Sequence, residues 1–188
     1  MRFFTRTTAF AAATATLANA NSMTFVNQDS TTRNIVFTPS EGHEPIETVT
    51  VAGNEQKKVD FPYSWIGNAY SVSEGAADNP GMLAEVTFQG WNDLTYFDVS
   101  AIINPADHDG VKQMYPASEI SALVKTALSG CIVFPCSTAY YLPNDIQTVT
   151  TTETDLVVTL GNSASDVAAR EVQPTLVSRN YVLGKLSA

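Results

Sequence analysis

Apolar and polar positions alternate along this chain in short runs separated by turn residues. Residues 47–52 put Val49 and Val51 on one face and Thr48 and Thr50 on the other. Residues 83–89 set Leu83, Glu85 and Thr87 against Ala84, Val86 and Phe88, and residues 69–73 repeat the period around Tyr70 and Val72. Residues 23–26, 33–38, 56–61, 95–99 and 155–160 complete a set of short strands. Residues 28–31 read as a hairpin turn between the first two, and Gly53-Asn54 turns the chain into residues 56–61. Many short strands with turns between them predict a sandwich or barrel, not a parallel sheet. One segment changes period. Ile120, Leu123, Val124, Ala127 and Leu128 recur at helical spacing, with Ser118 as N-cap and Ser129-Gly130 as a stop. They predict one short helix over residues 118–128, lying on the β core.

The two ends of the chain differ from this pattern. Residues 1–20 carry Arg2 and Arg6, a short apolar stretch, and Ala18 and Ala20 in the small-x-small arrangement of a cleavage site. This is the pattern of a secretory signal peptide cut after Ala20, and the apolar stretch is too short to span a bilayer. Residues 161–188 are small, polar and broken by Pro174, and they predict a poorly ordered tail. The expected folded domain is therefore residues 21–160.

Charge narrows the partners. The whole chain carries a formal −9, and loss of Arg2 and Arg6 leaves eight basic against nineteen acidic residues, or −11. That balance disfavours nucleic acid and anionic membrane, whose phosphates are bound by Lys and Arg. The chain is expected to be an exported monomer that needs no cofactor. Cys131 and Cys136 are the two cysteines. In an exported chain a disulfide is their default, and the further Cys or His ligands of a zinc site are missing from their vicinity.

Two stretches resemble the thaumatin-like proteins. Leu83-Ala84-Glu85-Val86-Thr87-Phe88, then Asn92, then Tyr96-Phe97-Asp98-Val99-Ser100 is similar to one family signature. The order Cys136-Ser137-Thr138-Ala139-Tyr140-Tyr141, Asn144-Asp145, Gln147-Thr148 and Leu156-Val157-Val158-Thr159-Leu160 is similar to a second. Thr24-Phe25-Val26-Asn27 resembles the opening strand, so the likeness spans most of residues 23–160. It implies an all-β fold: a thaumatin-like β-sandwich with one short helix in a reduced second region around residues 110–135. The family is rich in disulfides, whereas this chain is shorter and can form one, so it reads as a small, cysteine-poor, secreted fungal member, extracellular or cell-wall associated.

The resemblance further implies an acidic cleft that binds β-1,3-glucan. Glu85 and Asp98 match two of its acids, and strands disfavour Asp, so neither is explained by strand formation. Asp145 stands in for a cleft acid that Thr138 does not supply. Trp91, in the turn beside the two acid strands, is the candidate stacking surface for a sugar ring. The leading expectation is cell-wall glycan binding through Glu85, Asp98, Asp145 and Trp91. The second is a virulence or effector protein acting on a host extracellular protein. The third is a weak endo-glucanase with Glu85 and Asp98 as its carboxyl pair, or a deoxyribonuclease. The run Asp107-His108-Asp109 reads as a Gly-terminated polar turn and not as a metal site, because adjacent side chains point apart.

Overall fold

A computed structural model describes residues 21–107 and 109–163. The expected signal peptide, His108 and nearly all of the expected tail lie outside the described residues. Eleven strands form two sheets: β1 (Asn21–Asn27), β2 (Arg33–Pro39), β3 (Val49–Val51), β4 (Gln56–Phe61), β5 (Ile66–Ser73), β6 (Leu83–Thr87), β7 (Thr95–Ser100), β8 (Val111–Pro116), β9 (Ser129–Gly130), β10 (Val149–Thr151) and β11 (Asp155–Leu160). The five-stranded sheet runs β4-β1-β11-β8-β9, and the six-stranded sheet runs β10-β7-β6-β5-β2-β3. The all-β sandwich is thus the observed class. The strands of both sheets are antiparallel except for one pair, β1 with β11.

The core lies between the sheets. Phe25, Phe37, Phe61, Trp65, Phe88 and Phe97 fill it with Met23, Ile35, Val86, Met114, Leu156 and Val158. Phe61 meets Phe37 edge-on at 5.6 Å between centroids and lies 4.9 Å from Trp65. Such offset and edge contacts suit ring quadrupoles. The Trp65 indole N–H donates to the Glu44 carbonyl at 2.9 Å, so its one polar atom is satisfied inside the core.

Neither expected early turn makes a hairpin. β1 and β2 belong to different sheets, and so do β3 and β4. Residues 28–32 and 52–55 carry the chain across the sandwich. Both β1 and β2 bury alternate apolar side chains, so each faces the core from its own side. Pairing them edge to edge would leave one apolar face without a partner layer.

The expected helix over residues 118–128 is not formed. Pro116 leads into one 3-10 turn, Ala117–Glu119, and irregular turns follow. Side chains take over the backbone groups that a helix would pair internally. The Lys125 ammonium donates to the carbonyls of Glu119 (2.6 Å) and Ala122 (2.8 Å), and the Thr126 N–H donates to the Glu119 carboxylate at 2.8 Å. Local side-chain bonds compete with helix formation in this way. Leu123 and Val124, expected on the buried stripe, are exposed. With only Ala127 of the stripe packed on the core, a segment this short has little to hold it helical.

Periodicity misses the short β9 and β10 and also the six-residue β8. Val111 and Met114 both enter the core although they are three residues apart. A register shift opposite Thr159 and Leu160 lets both face inward. An extra residue in one strand destroys the period-two signal while preserving the sheet.

Cys131 and Cys136 form the expected disulfide. Its loop is short, so the double substitution Cys131→Ala/Cys136→Ala is expected to cost no more than about 2 kcal/mol. Urea denaturation of both proteins checks this, and a loss of about twice that size would contradict it.

Candidate functional site

β5, β6 and β7 lie side by side, and their register fixes the site. Asn68 faces Glu85 across β5 and β6, and Glu85 faces Asp98 across β6 and β7. On β6 and β7 the residues Ala84, Val86, Phe97 and Val99 enter the core. Alternation therefore sends Glu85, Thr87, Tyr96 and Asp98 to the outer face of the six-stranded sheet. Thr148, just before β10, reaches the same rung: its hydroxyl donates to Asp98 Oδ2 at 3.3 Å. One row across the outer face thus carries an amide, two carboxyls and a hydroxyl.

This row lines a groove of about 300 Å³ whose wall includes Ser40, Ile66, Thr87 and Tyr96. Glu85 is half-buried in it, whereas Asp98 is only 8% exposed. Asp98 Oδ1 is buried and meets no hydrogen-bond donor. Burial, and then the charge of the facing Glu85, push the Asp98 carboxyl up to about 7; the Thr148 hydroxyl works in the opposite direction. Two ionised carboxyls facing each other leave a place for one donor between them, and the raised Asp98 carboxyl fills it with its own proton when no other cation does.

The structure divides the expected site residues. Glu85 and Asp98 come together at the groove floor. Asp145 does not join them and is not a groove residue: its carboxylate accepts the backbone N–H groups of Tyr141 (2.8 Å) and Leu142 (2.9 Å). Those two bonds hold its carboxyl below the usual carboxylate range. Asp145 is a turn-forming residue that does not line this groove. Trp91 is 77% exposed on the turn between β6 and β7, where Asn92 and Asp93 take positive φ (57° and 58°). Short polar side chains tolerate that conformation. Trp91 is outside the groove lining, and its connection to it is a carbonyl that accepts from the Tyr96 hydroxyl at 3.2 Å. Asn68, Tyr96 and Thr148 are the groove residues that the sequence reading did not single out. Alternation along β5, β6 and β7 puts Asn68 and Tyr96 on the acid face, but only the strand register shows that they stand beside the acids.

Asp107 builds a turn, as its sequence suggests. Its Oδ1 accepts from the N–H groups of Asp109 and Gly110, and its Oδ2 accepts from that of Met82 at 2.8 Å. A Cβ on Gly81 would lie 1.9 Å from that Oδ2, so the close approach requires glycine there. Among the described residues no group of three or more His, Cys, Asp and Glu side chains is placed to hold a metal ion.

Geometry also bears on hydrolysis. Glycosidases hold their two carboxyls about 5 Å or more apart, across the scissile bond. Glu85 and Asp98 project side by side from directly opposed positions on one sheet face, not from two walls with a scissile bond between them, so the pair suits binding better than cleavage.

No family model matches the chain. The antigenic protein SchS21 of Stachybotrys chartarum is 55% identical over 140 residues, covering 74% of this chain and 94% of that protein. The crystal structure of the protein elicitor MoHrip2 from Magnaporthe oryzae shares the fold, with a TM-score of 0.56 at 15% identity over 76% of this chain and 99% of that one.

Proposed function

Because the chain belongs to the family of the Stachybotrys chartarum antigenic protein SchS21, we propose that it is an exported effector-type protein that binds a host extracellular protein through the outer-sheet groove. The name of that relative and the elicitor role named for the structural neighbour both support work outside the producing cell. The signal-peptide pattern of residues 1–20 supports it further.

The observation that carries the groove assignment is the Glu85–Asp98 pair. Opposed carboxyls on one rung are costly, because burial and mutual repulsion both work against ionisation. Structural stability gives no reason to keep Asp98 there, whereas a ligand that compensates the charge does. Capture from host extract on immobilised protein tests the reading. Retention of host protein by the wild type, unaffected by soluble β-glucan and lost in Asp98→Asn, is the expected result. Equal retention by wild type and variant would remove the groove from the interaction.

β-1,3-Glucan binding, as the thaumatin-like resemblance implies, is a second reading. The placement of Tyr96 in the wall and the polar Ser40, Asn68 and Thr87 around the acids favours it. The same immobilised protein distinguishes the two, since soluble glucan would then displace whatever is captured.

A further inference from the structure

The groove floor presents two carboxyls to one another with no basic side chain among the lining residues. Asp98 is more than nine-tenths buried, and its Oδ1 meets no donor. Its other oxygen, Oδ2, accepts from Thr148. Glu85, directly opposite, is itself an acceptor when ionised. With both carboxyls ionised the site is short of a positively charged donor, and half-buried Glu85 is the carboxyl that meets the open groove.

The shape of the deficit selects the donor. A guanidinium binds best through two parallel N–H groups on both oxygens of one carboxylate. At Asp98 one of those oxygens is already taken. A divalent cation takes six or more oxygen ligands and several charged groups, and this rung offers two carboxyls. A primary ammonium has three donors on one compact charge. One would serve Asp98 Oδ1, one the Glu85 carboxylate, and the third the Asn68 amide oxygen or the Thr148 hydroxyl. A four-carbon stem behind the ammonium has Ile66 and the Tyr96 ring to lie against. The net −9 of the chain would draw a basic surface toward the groove.

We propose that the outer-sheet groove is a lysine-recognition site, in which Asp98 Oδ1 and Glu85 seat the side-chain ammonium of a lysine presented by a protein partner. The proposal rests on the groove reading given above and specifies its partner chemistry. In the bound state the ammonium takes the place of the proton that Asp98 otherwise holds, so binding releases a proton at weakly acidic pH.

Nuclear magnetic resonance titration of the whole folded protein with Nα-acetyl-lysine methylamide tests this. Saturable shifts of the Asp98 and Glu85 side-chain carboxyl carbons are expected, with a Kd in roughly the millimolar range for so small a probe. The Nε-acetylated probe and the arginine analogue should bind at least about tenfold more weakly. Asp98→Asn should abolish saturation while leaving the remaining amide spectrum folded, and Glu85→Gln should weaken it.

Absence of saturable shifts, or equal binding of the Nε-acetylated probe, would overturn the lysine assignment. Tighter binding of a glucosamine oligomer than of the lysine probe would overturn it in favour of a sugar-borne amine. Host capture separates this failure from failure of the groove reading. If capture is lost in Asp98→Asn but the lysine probe does not bind, the groove stands and the lysine assignment falls. If capture is unchanged in Asp98→Asn, both fall.

Discussion

Arg33→Met is expected to destabilise the protein by about 3–5 kcal/mol, the cost of breaking a buried ion pair from one side. The guanidinium is 2% exposed and forks onto Asp29, with Nη1 on Oδ1 at 2.6 Å and Nη2 on Oδ2 at 2.9 Å. Nη1 also serves Asn27 Oδ1 and the Thr31 carbonyl. The Asp29 carboxylate accepts in addition from the N–H groups of Thr31 and Asn162, and its own carbonyl takes the Asn54 N–H at 2.7 Å. The side-chain pair thus ties the β1–β2 crossover to the end of β11, and the Asp29 backbone carbonyl adds the β3–β4 crossover. Methionine keeps the apolar bulk, but it leaves Asp29 charged and Asn27 without its donor. Arg33→Lys keeps the charge without the fork and should lose about half as much. Denaturant midpoints of the two variants against wild type check both figures. A loss below about 1 kcal/mol for Arg33→Met would show that water satisfies Asp29 equally well.

Asp29 also sets an acid limit. Partial burial acts to raise its carboxyl, but the bonds from Arg33, Thr31 and Asn162 outweigh that and hold it down at about 2. Its folded-state value is below the unfolded one. Its contribution is therefore fully present above the usual carboxylate range and is lost as pH falls toward about 2.

Asp98→Asn is expected to have the opposite sign and to make the protein more stable. The Asp98 carboxyl titrates near 7 in the fold, against 3.8 as the unperturbed value. Between these values the folded state holds a proton that the unfolded chain has released. Wild-type stability should therefore fall as pH rises from about 4 to about 7 and level off above. The full penalty is on the order of 4 kcal/mol. Asparagine carries no charge and offers an N–H to Glu85, so the variant should gain most of that margin at pH near 8 and almost none near pH 4. Guanidinium denaturation of both proteins across that range is the measurement. A wild-type curve flat with pH, with no gain in the variant, would mean that the pair is solvated and not opposed. A stabilising substitution that also abolishes ligand binding would mark Asp98 as a residue held for function at a cost in stability.

Much of the fold is legible in the chain because a strand facing one core shows its period directly. Residues 56–61 and 155–160 coincide with β4 and β11, and residues 83–89 and 95–99 cover β6 and most of β7. The failures have physical causes. The bulge in β8 removes the alternation on which its recognition depends. In residues 118–128 the apolar spacing is helical, yet Lys125 and Glu119 bond the backbone locally, and of the stripe Ala127 packs on the core while Ile120, Leu123 and Val124 stay exposed. At the site, Glu85 and Asp98 stand out because a strand interior has no need of a carboxylate. Asp145 is equally acidic but lies outside the strands, in the turn region before β10, and its role as a backbone cap depends on a turn geometry that the residue type does not disclose.

The order of residues by itself determined the class of the fold, the two outward-facing acids and the cysteine pair. Each follows from local period or from residue type, and neither depends on which strands meet. Only the tertiary structure decided that the first two strands part into different sheets, that Glu85 and Asp98 share a rung with Asn68 and Thr148, and that Arg33 and Asp29 close the crossovers. Those facts depend on pairing between segments far apart in the chain. Strand register is set by how two apolar faces come together across the sandwich, which no single segment encodes alone.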